Sequence, residues 1–94
     1  MHRILSQEER NLEVKKLLYH SWHRGCKETD LLLGRFAQLH LNNLTDDELL
    51  AYKSFLDEDD WDIFNWLTEK APLPEKHHNS MMDKLLHFKF SESL

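Results

Sequence analysis

Leu44-Thr45-Asp46-Asp47-Glu48-Leu49-Leu50-Ala51-Tyr52-Lys53-Ser54-Phe55-Leu56 reads as one short helix with its start signal intact. Thr45 followed three residues later by Glu48 forms a capping box: the hydroxyl accepts from a first-turn amide while the carboxylate reaches back to the amide of the cap. Asp46, Asp47 and Glu48 place negative charge where the helix dipole favours it. Leu49, Tyr52, Phe55 and Leu56 then recur at intervals that share one helical face. The pattern predicts a helix over 46–56 that buries that stripe.

The same signals continue on both sides. Upstream, Asn42-Asn43 is a break, and before it Glu28 to Leu41 carries Leu32, Leu33, Phe36, Ala37 and Leu39, with Gly34 as a local weakness and Thr29 or Asp30 as the expected cap. Further back, Ser6 and Glu9 form a second capping box. It opens a helix over 7–23 whose apolar positions are Leu12, Leu17, Leu18, Tyr19 and Trp22. Gly25 closes it, because glycine adopts the left-handed backbone that commonly ends a helix. Downstream, the acids Asp57 to Asp60 interrupt the pattern and offer an N-cap, and Trp61, Phe64, Trp66 and Leu67 mark a fourth helix. Pro72 and Pro74 punctuate a loop, after which Ser80 and Asp83 start a fifth helix with Met82, Leu85, Leu86 and Phe88; the tail beyond Phe90 is expected to fray. The expected fold is all-α: one compact single-domain bundle of five short helices over residues 1–94, ordered from about 7 to 90.

Composition agrees. A chain of 94 residues with 40% hydrophobic and 31% charged residues has an ordinary globular balance but room for only one core. A large enclosed active site is not expected. With only 2 Gly and 2 Pro, and β-branched residues limited to Ile4, Val14, Thr29, Thr45, Ile63 and Thr68, helices are favoured over strands. Helices this short are marginal in water, so the fold must come from docking their Leu and aromatic faces.

The net charge is −5, unevenly spread. Arg3, Arg10, Lys15, Lys16, Arg24, Lys27 and Arg35 against Glu8, Glu9, Glu13, Glu28 and Asp30 leave residues 1–40 at +2. In 45–62, Asp46, Asp47, Glu48, Asp57, Glu58, Asp59, Asp60 and Asp62 against Lys53 give −7. No basic stripe is present to neutralise phosphates, so nucleic acid is not an expected partner, whereas the asymmetry suits orientation of a protein partner. Cys26 is the single cysteine, so no intramolecular disulfide forms and a reducing compartment fits. No run approaches a membrane span, and neither a signal-peptide core nor an Arg- and Ser-rich presequence is seen. The bacterial cytoplasm is the simplest location, with the mitochondrial matrix the alternative for a processed chain.

The most unusual local feature is Arg24-Gly25-Cys26-Lys27-Glu28, where the first two helices join. A guanidinium fork, a residue without a side chain and a carboxylate meet at one corner: the Arg to clamp a partner carboxylate or carbonyls, the Gly to allow close approach, the Glu to pair with a partner cation or hold the Arg. A helix C-cap followed by solvated Arg and Glu explains the same residues. His20, His23 and Cys26 recur at intervals of three, but Gly25 interrupts the helix and no fourth ligand follows at a recognised spacing, so no metal site is assigned. Cys26 as a nucleophile would have only His23 as a nearby base and no third group to orient it. His77-His78 reads as a polar loop, the three Trp and five Phe as core, and the acids of 57–62 as a solvated turn.

Ser21-Trp22-His23-Arg24-Gly25-Cys26-Lys27-Glu28-Thr29-Asp30-Leu31-Leu32-Leu33-Gly34-Arg35-Phe36 resembles the RGxxE signature region of the succinate dehydrogenase flavinylation-factor family. Leu44-Thr45-Asp46-Asp47-Glu48, Phe55-Leu56 and the run from Asp60 to Leu67 resemble that family's second block, and the likeness extends over about residues 7–90. The resemblance implies a five-helix helper, not an enzyme, that binds the flavoprotein subunit of succinate dehydrogenase or fumarate reductase and promotes covalent attachment of FAD to a histidine of that subunit. It implies that Arg24, Gly25 and Glu28 contact the flavoprotein with Asp30 in support. It also implies that no cofactor is stably bound and that the free factor is monomeric, without membrane insertion. An antitoxin-like regulatory module, a label also attached to this family, is the alternative, and a metal or thiol enzyme built on His20, His23 and Cys26 a third reading. The sequence departs from the family pattern at Cys26, where Met is common, at Thr29, where Leu is common, at Trp61, where Pro is usual, and at His23, which replaces a commonly basic residue.

Overall fold

A computed structural model describes residues 5–91. Five α-helices follow one another: α1 Gln7–Trp22, α2 Lys27–His40, α3 Asp46–Leu56, α4 Asp60–Leu67 and α5 Ser80–Ser91. Short 3₁₀ turns at Leu41–Asn43 and Glu75–His77 complete the order, and no strand occurs among the described residues. The fraying expected beyond Phe90 falls mainly on residues 92–94, which lie outside the described residues.

Both capping boxes form. Ser6 Oγ accepts from the Glu9 amide at 3.1 Å while the Ser6 amide donates to the Glu9 carboxylate at 2.9 Å. Thr45 and Glu48 repeat the exchange at 3.1 and 3.0 Å. The start of α2 differs from expectation. Cys26, rather than Thr29 or Asp30, is the N-cap of α2, and its side chain forms no capping bond. Thr29 instead turns inward at 3% exposure. α5 begins at Ser80 as expected, and Asn79 caps it by accepting from the Met82 amide at 2.8 Å. Asp59 caps α4, accepting from the Trp61 amide at 2.9 Å.

The core joins Leu17 of α1 to Leu33, Phe36 and Ala37 of α2, to the full stripe Leu49, Tyr52, Phe55 and Leu56 of α3, and to Met81, Met82, Leu85 and Phe88 of α5. Leu12, Tyr19 and Leu39, read from sequence as core, face solvent because each lies off the stripe its helix buries. Gly34 is the reverse case. A Cβ there would stand 2.2 Å from Trp22 Cδ2, so the apparent weak point of α2 is where α1 presses closest against it.

Polar ties fix these helices. Ser21 Oγ lies 2.6 Å from the Leu17 carbonyl and 2.6 Å from Tyr52 Oη, which is itself 3.3 Å from the Leu33 carbonyl. Each hydroxyl has one proton: Ser21 donates to the Leu17 carbonyl, and Tyr52 directs its own to Ser21 Oγ at 2.6 Å in preference to the Leu33 carbonyl at 3.3 Å. Burial pushes the Tyr52 phenol above its ordinary value. At the far end of α1, the Arg10 guanidinium reaches Asp46 Oδ1 at 2.5 Å and the Leu44 carbonyl, which locks α1 to the start of α3.

Candidate partner-binding site

The turn from α1 into α2 is built on backbone conformation. His23 ends α1, and Gly25 takes φ +98°, where a side chain would be strained. Space is not the reason for glycine, since a Cβ would meet only Asp60 Oδ2 at an ordinary 3.8 Å. Asp30, one turn into α2, accepts from the Arg24 amide at 2.6 Å, so the Asp after the motif closes the loop onto the helix that follows.

Arg24 lies partly buried, its side chain 13% exposed. Nη2 pairs with Asp60 Oδ1 at 2.7 Å and donates to the Glu58 carbonyl at 3.1 Å, while Nε is buried without a hydrogen-bond partner. The guanidinium therefore braces the α1–α2 corner against the α3–α4 turn and is not the free clamp expected from sequence. The expected hold of Glu28 on Arg24 is also absent: the Glu28 carboxylate is exposed and, among the described residues, forms no ion pair with Arg24. Of the Arg24 and Glu28 side chains, that of Glu28 is the exposed one.

Arg24, Gly25, Cys26 and Glu28 form one wall of an open groove of about 540 Å³, and Asp59, Asp60, Trp61 and Phe64 form the other. The Cys26 thiol is drawn below its ordinary value, chiefly by the Thr29 amide and then by the Thr29 hydroxyl, with burial and the Glu28 carboxylate opposing. Of the four residues singled out in the sequence, Arg24, Gly25 and Glu28 line this groove and Asp30 supports the loop behind it.

His23 does not face Cys26. Its ring stacks on Tyr19 with centroids 4.1 Å apart, and its Nδ1 lies 2.7 Å from the Tyr19 carbonyl. No group of three His, Cys, Asp or Glu suited to a metal ion occurs among the described residues. His77, read as loop, is instead buried between Phe55 and Trp66, with Nε2 at 2.5 Å from Glu58 Oε2.

Sequence reasoning missed Asp60 as the partner of Arg24 and Trp61 as a wall of the groove. Ile63 and Leu67 are separated by four residues and define the buried face of α4, which puts Trp61 and Phe64 on another face. That spacing was the available signal.

Residues 15–89 match the family described as flavinator of succinate dehydrogenase. Three proteins named "Succinate dehydrogenase assembly factor 2, mitochondrial" are similar to this chain. The one from Scheffersomyces stipitis is 44% identical over 87% of this chain and 58% of its own length. That from Yarrowia lipolytica is 48% identical over 83% and 57%, and that from Dictyostelium discoideum 45% over 78% and 52%. The chain thus spans little more than half the length of these curated relatives.

Proposed function

The chain belongs to the succinate dehydrogenase flavinator family, and from that membership we propose that it is an assembly factor that binds the flavoprotein subunit of succinate dehydrogenase and promotes covalent attachment of FAD to that subunit. The observation that carries this reading is the meeting of the RGxxE corner with the second acidic block. Arg24 and Asp60 come from the two sequence blocks and form one wall-to-wall groove.

The factor acts without a catalytic residue of its own. The linkage forms on the flavoprotein, and a helper accelerates it only by binding the competent arrangement of histidine and flavin more tightly than the incompetent one. Holding two reacting groups in position accounts for large rate gains in general, with no proton or electron passed through the helper. Glu28 and the groove walls make the polar contacts; Gly25, Asp30 and the Arg24 brace keep the corner in shape. The flavin belongs to the partner, and the factor retains none. The word mitochondrial in the relatives' names supports a mitochondrial place of action over the bacterial cytoplasm. Among the described residues no helix is long and apolar enough to cross a membrane.

Capture of the flavoprotein subunit from a mitochondrial extract by the tagged chain, with the partner identified by mass, tests the partnership. Recovery of that subunit is expected; its absence under conditions that keep the chain folded would sink the reading.

A further inference from the structure

The groove ends on an aromatic pair, an exposed Trp61 stacked on a half-buried Phe64. Trp61 is 66% exposed although α4 buries Ile63 and Leu67. Its ring lies nearly parallel to that of Phe64, with centroids 5.7 Å apart and planes 16° apart. A large aromatic surface held in a fixed orientation and left in water is a common feature of binding anchors.

The surroundings select the partner's chemistry. Glu28, Asp59 and Asp60 line the groove with carboxylates, and Asp62 stands exposed beside Trp61 in sequence. Arg24 lines the groove too but pairs with Asp60, which leaves the carboxylates of Glu28 and Asp59 in excess. Aromatic faces attract cations through the ring quadrupole, so the rings and the carboxylates favour the same ligand. The same chemistry already occurs beside it: the Lys70 ammonium sits 5.0 Å from the centroid of Phe64.

We infer that Trp61 anchors the docking face and that its occupant is a segment of the flavoprotein subunit carrying an Arg or Lys beside an apolar side chain, the cation over the indole and between the carboxylates. This rests on the partner named under the proposed function and adds the chemistry of the contact. The departure from the usual Pro at this position then supplies a contact that Pro could not make.

The test is calorimetric titration of the purified flavoprotein subunit with the wild-type chain, Trp61→Ala, Trp61→Phe and Asp62→Asn, at low and at physiological ionic strength. Trp61 is exposed and stands outside the hydrophobic core, so Trp61→Ala should keep its helical signal and melting temperature. The expected result is a Kd weakened about tenfold or more by Trp61→Ala and less by Trp61→Phe. Wild-type binding should also weaken with salt, and Asp62→Asn should reduce that dependence. Wild-type affinity in a folded Trp61→Ala chain, or salt-independent binding of the wild type, overturns the inference while leaving the partnership intact. A wild-type chain that fails to bind the subunit overturns the partnership and this inference with it.

Discussion

Arg24 Nη2 lies 2.7 Å from Asp60 Oδ1, so the corner between α1 and α2 is tied to the first residue of α4. The motif arginine is thereby a brace for the site. Its guanidinium meets Asp60 and the Glu58 carbonyl while the carboxylate of Glu28 remains exposed.

Arg24→Ala removes that ion pair and the hydrogen bond to Glu58. A pair whose acid is half exposed is worth at most about 1 kcal/mol, and the hydrogen bond adds about 1 more. The expected loss is about 1–2 kcal/mol in urea unfolding, with Asp60→Asn costing less because the Glu58 bond survives. An Arg24→Ala chain as stable as wild type would contradict the brace.

Gly34→Ala tests the close approach of α1 and α2. Alanine gains about 1 kcal/mol of helix propensity, but its Cβ falls 2.2 Å from the Trp22 ring, and overpacking typically costs about 1–3 kcal/mol. We expect net destabilisation and altered Trp fluorescence. A stabilised variant would mean that Trp22 moves aside freely.

Within the Ser21–Tyr52 link, Ser21→Ala should cost more than Tyr52→Phe. The first leaves a buried phenol with only the 3.3 Å contact to the Leu33 carbonyl, while the second leaves Ser21 donating to Leu17 at 2.6 Å. A buried hydroxyl left with only a long bond loses part of the about 1–3 kcal/mol that a wholly unpaired one costs, on top of the about 1 kcal/mol of a lost neutral bond. Equal or reversed thermal shifts would refute the proton assignment.

Acid should weaken the fold partly through Glu48. Its burial alone would raise the carboxyl, but the Lys84 ammonium at 2.8 Å, the Thr45 amide and the Ser80 hydroxyl together lower it from 4.5 to about 2. The folded value lies below the unfolded one, so its stabilisation is complete above about pH 4.5 and is lost as pH falls toward about 2. The full contribution is about 3 kcal/mol. Urea midpoints measured from neutral pH down to acid should fall more steeply for the wild type than for Glu48→Gln, and parallel curves would exclude this carboxylate as the cause.

The five helices were legible because their start signals are local. Thr45 with Glu48 and Ser6 with Glu9 need only their own turn to be satisfied, and the stripe of α3 buries as its spacing predicts. What failed was long-range. Leu12, Tyr19 and Leu39 are apolar but lie off the docked faces, and nothing in their own helices says which side a neighbour will cover. Gly34 looked weak because its reason for being glycine is Trp22, on another helix. The corner was legible as a place, since Gly25 and the charged residues around it are contiguous. Its wiring was not: Asp60 is supplied by a turn distant in sequence, and Asp59 beside it is as acidic but caps α4 instead of pairing with Arg24.

The central claim is that this chain promotes flavin attachment through the exposed face of the corner, and Glu28→Gln separates that claim from stability. The variant changes an exposed carboxylate that makes no ion pair with Arg24, so the fold should persist. The most direct measurement is covalent flavin fluorescence of the denatured flavoprotein subunit after co-expression with no factor, wild type or Glu28→Gln. The account predicts abundant covalent flavin with wild type, little without the factor, and a drop of about tenfold with a folded Glu28→Gln chain. Equal covalent flavin with and without the wild-type chain would contradict it.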